Sequence, residues 1–216
     1  MTTFLLIRHA YCDPVGVAIA GRAPGVHLND RGLAEADALG TRLSALRITA
    51  VYSSPLERSV ETAAAIAREQ HLRVETAPGL LEINFGEWTG KRLAELDQLP
   101  EWKTFNRYRS GTRIPGGETM AEVLVRALAE MTRIRAAHPD ANSLVAVVSH
   151  GDVLRALIAH FLGIPSDLFQ RIELSPASVS VLALEQYGPR LLLMNSIGDW
   201  PGEIRLRSGD LNRTRL

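Results

Sequence analysis

Runs of consecutive apolar residues mark the segments of the chain that are typical of buried strands. Residues 4–7 and 144–148 are apolar without interruption, which is the pattern of strands covered on both faces of a sheet. Shorter apolar runs predict further strands at residues 50–52, near 74, at 179–184 and at 191–194. The last two are expected to pair through a turn around Gly188 and Pro189.

Between these runs, apolar residues recur every three or four positions, which is the spacing of one face of an amphipathic helix. Helices are predicted to begin near residue 30 and to cover residues 55–69, 118–138 and 152–162. For the second of them, Ser54 is the predicted N-cap and Pro55 the first helical residue. Strands separated by helices indicate an α/β fold with a largely parallel sheet.

The length of the chain and its distribution of glycine and proline predict one domain. A chain of 216 residues can bury a substantial core. We expect residues 1–200 to form that single domain and residues 201–216 to be a loose C-terminal tail. Glycine and proline punctuate short helical pieces over residues 78–117, so this stretch is predicted to be an insertion over the functional site.

The amino-acid composition limits the classes of partner that are expected to bind the protein and the cellular compartment in which it is expected. Lys plus Arg (24) balance Asp plus Glu (24), so the bulk charge favours neither nucleic acid nor an anionic membrane as a partner. The single cysteine, Cys12, cannot form an internal disulfide, and the apolar run at residues 4–7 is too short for a signal peptide or a membrane span. We therefore expect a cytoplasmic protein. Whether the protein forms a homodimer is an open alternative.

Cationic side chains follow three of the predicted strands directly. Arg8 and His9 come after the first strand, Arg58 lies just beyond the second, and His150 follows the strand at residues 144–148. In an open α/β sheet the carboxyl ends of the strands are where ligands bind, and helix N-termini there add free N–H groups. Two arginines and two histidines at such a point predict a phosphate site.

His9 is the candidate nucleophile of this site. A neutral imidazole can attack phosphorus, and a covalent intermediate divides one difficult displacement into two easier ones. Arg8, Arg58 and a protonated His150 would stabilise the charge on the transferring phosphoryl group. Neither a metal ion nor another cofactor is therefore expected.

A carboxylic acid is also needed, because the departing alkoxide takes up a proton and a water must later lose one. Glu82 is the candidate for both steps, since its apolar neighbours would favour the protonated form. Glu87 is a nearby competitor for this role.

These residues resemble those of the histidine phosphatase superfamily, also called phosphoglycerate-mutase-like. Four segments match that family's motifs in the same order: residues 8–10, 53–63, 82–90 and 148–151. The resemblance extends from about residue 4 to residue 196 and implies a three-layer α/β/α fold. It also implies a phosphohistidine at His9, phosphate contacts from Arg8, Arg58 and His150, and an acid/base role for Glu82.

The chain departs from the family pattern at three positions near the predicted nucleophile. Ala10 replaces the expected glycine, while Cys12 and Val15 stand where a hydroxyl residue and an asparagine are common. These differences concern hydrogen bonds to the substrate. The substrate therefore stays open among small phosphorylated metabolites. Which nearby side chains face the site also stays open: Tyr11, Arg22, Asn84, Phe85, Trp88, Arg107 and Arg109.

Four functions are compatible with these residues. The first is a phosphomonoesterase, and the second is a phosphoglycerate-type mutase that returns the phosphoryl group to a bound product. The third is a zinc-dependent hydrolase in which His9, His150 and Glu82 bind the metal. The fourth is a phosphate-binding module without catalysis. The short stretch between Glu82 and Glu118 leaves little material to enclose a bisphosphate, which favours the phosphatase over the mutase.

Overall fold

A mixed sheet lies at the centre of the computed structural model, which describes residues 2–140 and 143–198. Within those residues the strands are β1 (Thr2–Arg8), β2 (Ala50–Ser53), β3 (Val74–Thr76), β4 (Ser143–Ser149), β5 (Val179–Glu185) and β6 (Gly188–Ser196). Their order is β3-β2-β4-β1-β5-β6. The first four strands are mutually parallel, β5 is antiparallel to β1, and β6 is antiparallel to β5. The prediction of an α/β fold with a largely parallel sheet is confirmed.

Helices cover both faces of this sheet. They are α1 (Asp30–Leu43), α2 (Glu57–Glu69), α3 (Leu93–Leu96), α4 (Pro100–Arg107), α5 (Met120–Ala137) and α6 (Gly151–Leu162). Short 3-10 helices lie at Pro78–Leu80, Gly86–Trp88 and Ser166–Arg171. Among the helices of the described ranges, none combines the length and the apolar character needed to cross a bilayer.

Side chains that alternate between the two faces of the buried strands produce the three layers of the fold, with helices on both sides of the sheet. Phe4 and Leu6 of β1 belong to the apolar cluster that contains the buried residues of α5 and α6. Leu5 and Ile7 belong to a second cluster, with the buried residues of α1 and α2. Successive side chains of a strand point to opposite faces, so an uninterrupted apolar run supplies both layers of core. Each such fully buried side chain contributes roughly 1.5–3 kcal/mol of transfer free energy.

The register of the parallel strands places three chain segments side by side at one edge. Arg8 pairs with Ser149 across β1 and β4, and Ser53 of β2 pairs with Val148 of β4. Just past these pairs, the His9 amide donates to the Ser149 carbonyl at 2.9 Å. The three polar segments that follow β1, β2 and β4 therefore meet, as their positions after apolar runs predicted.

Local details differ from the sequence predictions. Ser54 is not the N-cap of α2, which begins at Glu57 after Leu56, because the Ser54 hydroxyl is bound to His150 instead. The turn between β5 and β6 lies at residues 186–187, so Gly188 already belongs to β6. Helix α5 starts two residues later than predicted. The tail predicted at residues 201–216 lies outside the described residues.

The stretch at residues 78–117 packs onto the domain through its own aromatic residues. Trp88, Trp102 and Phe105 pack edge-to-face or tilted, with ring centroids 5.3–6.1 Å apart. All three are buried and belong to the same cluster as Phe4 and Leu6. The stretch is thus part of the core on that face and has a fixed position relative to the sheet.

Helix α5 begins with a capping box, and its loss should destabilise the fold. The Thr119 hydroxyl accepts from the Glu122 amide at 3.2 Å, and the Glu122 carboxylate accepts from the Thr119 amide at 2.8 Å. Thr119→Ala removes the first bond, and we expect it to cost about 1 kcal/mol of unfolding free energy. Thermal unfolding measures this as a drop in Tm of about 2–4 °C.

Thr132→Ala is the matched control, because Thr132 is exposed in the middle of the same helix. Alanine has the higher helix propensity, so this change should leave Tm unchanged or slightly raised. Equal losses in the two variants would show that the cap does not contribute.

Candidate active site

His9 lies at the floor of a cleft beyond the end of β1. It is 4% exposed, and its Nδ1 is 2.8 Å from the Ala10 carbonyl oxygen. A carbonyl only accepts, so Nδ1 carries the hydrogen and Nε2 keeps its lone pair. Burial and the charges of Arg58 and Arg8 lower the pKa of His9 to about 3. The imidazole is neutral at physiological pH.

The loop that carries His9 is tied to the helix that carries Arg58. The Ala10 amide donates to the Thr62 hydroxyl at 3.0 Å, and that hydroxyl donates to the Arg58 carbonyl at 2.7 Å. Thr62 is fully buried. This pair of bonds fixes the distance between the two elements.

His150 and Arg58 contact each other directly. Arg58 Nη2 lies 3.3 Å from His150 Nδ1, and His150 Nε2 lies 2.8 Å from the Ser54 hydroxyl. Because arginine only donates, Nδ1 is the acceptor and Nε2 carries the hydrogen. The rings of His150 and His9 are 5.2 Å apart between centroids. Burial, then the nearby His9 and Arg58, hold the pKa of His150 well below its ordinary value.

This neutral His150 differs from the protonated side chain expected from the sequence. The difference arises because the site is buried and already holds two guanidinium groups. Protonation of His150 in the presence of a bound phosphate stays a prediction.

The two arginines each leave a donor without a partner. Arg58 is 1% exposed and donates Nη2 to the Gly21 carbonyl at 2.8 Å, while Arg8 donates Nη1 to the Leu174 carbonyl at 2.6 Å. Arg8 Nε and Arg58 Nη1 are buried and have no hydrogen-bond partner among the described residues. Buried donors are normally satisfied, so these two are available to an acceptor that enters the cleft. The backbone at Gly21, whose carbonyl binds Arg58, has φ +51°, a conformation that glycine adopts without strain.

Glu82 faces the same cleft from the start of the insertion. Its Oε2 lies 3.9 Å from His150 Nδ1, and its Oε1 accepts from the Ile83 amide at 2.9 Å. Burial and the charge of Asp152 raise the pKa of Glu82 to about 7, despite the opposing effects of that amide and the two arginines. The carboxyl group is therefore shared between its two protonation states near neutral pH.

The competitor for this role, Glu87, lies elsewhere. Its side chain is exposed, and it is not among the residues that line the cleft.

A half-buried ion-pair network fixes the backbone that carries Glu82. The Glu82 carbonyl accepts from Arg22 at 2.7 Å and from Arg126 at 3.1 Å. Both arginines also bind the Glu118 carboxylate, at 2.9 and 3.0 Å, and this carboxylate accepts from the Asn84 amide. Burial would raise the pKa of Glu118, but these bonds outweigh it and lower the pKa.

Asp152 is a functional candidate that the sequence did not single out. It lies in the first turn of α6 and accepts from Arg109 at 3.1 Å and from Arg155 at 2.9 Å. Burial alone would raise the pKa of Asp152, but the two arginines lower it. Asp152 stays ionised and acts on Glu82 through its charge. Arg109 comes from the insertion, 43 positions away, so only the fold reveals this contact.

The cleft is a cavity of about 240 Å³ that contains the predicted phosphate site. The predicted site residues Arg8, His9, Arg58 and Glu82 line it, and His150 lies directly behind Arg58 and Glu82. Of the side chains left open by the sequence, Phe85 lines the cavity. The others are not among its lining residues: Tyr11, Arg22, Asn84, Trp88, Arg107 and Arg109.

The trio considered for zinc does not form a metal site. Within the part of the chain that the structure describes, no group of three or more His, Cys, Asp or Glu side chains is placed to hold a metal ion.

Comparison with known proteins agrees with this geometry. The model of the histidine phosphatase superfamily (branch 1) matches residues 4–197. Phosphoserine phosphatase 1 of Hydrogenobacter thermophilus is 31% identical over 202 residues, which cover 90% of this chain and 92% of that protein. The probable phosphoglycerate mutase GpmB of Proteus mirabilis is 31% identical over 185 residues, 83% and 84% of the two chains. The chain spans 50% of the length of several mycobacterial relatives that are 34% identical to it.

Among solved structures, Bacillus stearothermophilus YhfR superposes with a TM-score of 0.85 at 26% identity, covering 92% of this chain and 98% of that one. The chain belongs to the histidine phosphatase superfamily. The sequence-based prediction of a phosphatase with a phosphoglycerate-mutase-like fold is confirmed.

Glu118 allows a test of the network that holds Glu82. Glu118→Gln keeps the shape but removes the charge between Arg22 and Arg126, and we expect about 1–3 kcal/mol less unfolding free energy at pH 7. The pKa of Glu118 is below its ordinary 4.5 in the folded state. Its contribution is therefore present above that pH and is lost as pH falls through the folded pKa.

Urea unfolding of both proteins from pH 7 to pH 3.5 measures this difference, which should shrink below about pH 4.5. Glu95→Gln, at an exposed carboxylate of α3, should unfold like the unmodified protein at every pH. A difference that stays constant across the range would contradict the ion-pair account.

Proposed function

We propose that the chain is a phosphomonoesterase that acts on a small phosphorylated metabolite without a metal ion, through a phosphohistidine on His9. Glu82 is the general acid and then the general base, and Arg8, Arg58 and His150 bind the phosphoryl group. The observation that carries this proposal is the pair of buried donors without partners, Arg8 Nε and Arg58 Nη1, beside a neutral imidazole.

Charge and geometry support a phosphate as the missing acceptor. Guanidinium groups donate well to phosphate oxygens, and the carbonyl groups that they bind here are neutral and do not compensate their charge. The α6 helix begins at Gly151 beside the same cavity, and its free N–H groups add to the positive potential.

In the first step, His9 Nε2 attacks phosphorus while the bond between phosphorus and the ester oxygen breaks. The protonated Glu82 gives its proton to the departing oxygen, which leaves as the alcohol. Arg8 and Arg58 stabilise the charge on the equatorial oxygens during this transfer. The step yields phosphohistidine and an ionised Glu82.

In the second step, the Glu82 carboxylate takes a proton from a water molecule as the water attacks phosphorus. The bond between phosphorus and Nε2 breaks, inorganic phosphate forms, and His9 returns to its neutral state. A carboxyl group with a pKa of about 7 suits both directions of proton transfer near neutral pH. His150 gains a proton when a dianionic phosphate arrives, since the added negative charge raises its pKa.

The mutase is the second candidate, because one relative is named as a probable phosphoglycerate mutase. It would use the same phosphoenzyme and differ only in retaining the product for a second transfer. The small cavity and the short insertion favour release of the product over its retention for a second transfer.

The domain organisation, cellular location and partners of the protein are also part of this proposal. We propose that residues 1–200 act as one catalytic domain in the cytoplasm, with residues 78–117 over the site. Neither nucleic acid nor membrane is a partner in this proposal, and homodimer formation is left to measurement.

Replacement of the nucleophile tests the chemistry. Phosphate release from a panel of phosphomonoesters in excess EDTA should continue in the unmodified protein, and His9→Ala should lower it by about 10³-fold or more. An acid-labile phosphoenzyme should be trapped only when His9 is present. His160→Ala, at an exposed position of α6, should behave like the unmodified protein.

Two other results would each select another function, and a third would reject the nucleophile. Loss of release in EDTA with recovery on zinc would favour the metal hydrolase. A phosphoenzyme without net release, together with stimulation by a bisphosphate, would favour the mutase. Release that survives in His9→Ala would reject His9 as the nucleophile.

The pH dependence tests Glu82. For an alkyl phosphate, kcat/KM requires neutral His9 and protonated Glu82, so once corrected for the ionisation of the substrate it should be level between about pH 3 and pH 7 and fall above that range. Glu82→Gln cannot donate a proton, so the ratio of unmodified to variant kcat/KM should be about 10²–10⁴ below pH 7. That ratio should decline above pH 7, where the unmodified protein also lacks the proton.

Taking the ratio at each pH removes the ionisation of the substrate itself. Glu87→Gln, on the same loop but exposed, should give a ratio close to one throughout. A ratio for Glu82→Gln that does not change with pH would show that Glu82 is not the proton donor.

A further inference from the structure

The cavity has a second part, next to the phosphate site, whose wall is apolar. Its side chains come from the segment after β1 and from the insertion: Pro14, Val15, Ala18, Ile19, Phe85 and Leu93. Among the described residues that line the cavity, none has a hydroxyl or amide side chain. Burial raises the pKa of the Cys12 thiol, so this residue adds a neutral, weakly polar surface. The wall offers no side-chain partner for a sugar hydroxyl.

The two charged side chains beyond the phosphate site are already bound to protein. Arg155 donates to Asp152 at 2.9 Å and to the Ile172 carbonyl at 2.8 Å. Asp152 is also held by Arg109. Arg155 Nη2 also faces the Glu173 carboxylate at 3.8 Å. The charges of Asp152 and Arg155 are thus compensated by protein partners, so a carboxylate or ammonium group on the substrate would meet little net charge from this pair.

Backbone hydrogen bonds fix the apolar wall in place. The Ile19 amide donates to the Lys91 carbonyl at 3.0 Å, and the Ile19 carbonyl accepts from Gly90 at 2.8 Å. The Leu93 amide donates to the Val17 carbonyl at 2.9 Å. The two segments that form the wall are thus paired like short strands. An apolar pocket of this kind is preformed rather than assembled by the ligand.

The size of the cavity limits what can occupy it. Pockets for drug-sized ligands measure roughly 300–1,000 Å³, whereas this cavity has about 240 Å³ for the phosphoryl group and its ester part together. The ester part that lies inside is therefore small.

We propose that the alcohol part of the substrate is a small apolar group, and that Val15 and Ile19 are the residues that select it. The inference rests on the phosphomonoesterase function proposed above. Val15 is half-buried and lines the cavity, as does Ile19, so both present methyl groups to a bound ester.

A series of alkyl phosphates tests the inference. Ethyl, propyl, butyl and pentyl phosphate have alcohols of similar reactivity, so differences in kcat/KM report contact with the wall. We expect about a threefold to fourfold rise per added methylene until the cavity is filled. Phosphoserine and 3-phosphoglycerate, which carry additional charges, should have at least about tenfold lower kcat/KM than butyl phosphate.

Val15→Thr and Val15→Asn test the role of the wall, because they introduce a polar group with little change in size. Each should reduce the ratio of kcat/KM for butyl over ethyl phosphate by about threefold or more. Val17→Thr is the matched control, since Val17 is two positions away, 45% exposed and outside the cavity lining. It should leave the ratio unchanged.

The outcomes separate this inference from the function on which it rests. A flat alkyl series, or preference for the charged esters, with release still dependent on His9, would overturn the apolar selection alone. An alkyl series unchanged by both Val15 variants would overturn the assignment of Val15. Absence of release from every ester by the folded protein would overturn both proposals.

Discussion

Positive charge that is buried and left unneutralised is the constraint on which the site depends. Arg58 is almost fully buried, yet its nearest acceptors are the Gly21 carbonyl and a neutral His150. Carbonyl groups satisfy hydrogen bonds without cancelling a charge, so the guanidinium keeps its attraction for an anion. Removing such a charge from water has a cost of several kcal/mol. The packing of β1, β4 and α2 must supply that free energy in the absence of a ligand.

Burial and charge together set the protonation of the groups around the arginines. Burial has the largest effect on His9, and the charges of Arg58 and Arg8 add to it, so the imidazole is neutral. Glu82 should be ionised beside two arginines, but its own burial and the charge of Asp152 have the larger effect. Two groups in one cavity therefore have pKa values of about 3 and about 7, so the proposed nucleophile is neutral at a pH where the proposed acid still holds a proton.

Sequence patterns predicted the sheet and the main site because both depend on short-range features. The apolar runs of β1 and β4 identify buried strands, and the polar residues directly after them must lie at the carboxyl edge. Sequence patterns did not predict the contacts that depend on a residue far away in the chain. Serine is a residue type that favours the N-cap position, but the hydroxyl of Ser54 is hydrogen-bonded to His150. The sequence did not single out Asp152, because Arg109 reaches it from a separate segment.

The phosphate site and the apolar wall are held by different sets of bonds. The site depends on the strand register and on the contact of Ala10, Thr62 and Arg58. The wall depends on backbone bonds between residues 17–19 and 90–93, which do not involve wall side chains. A side chain on the wall can therefore change without moving the arginines or His9. Such an arrangement lets one phosphoryl-transfer chemistry serve different esters, with selection determined by a few positions on two paired segments.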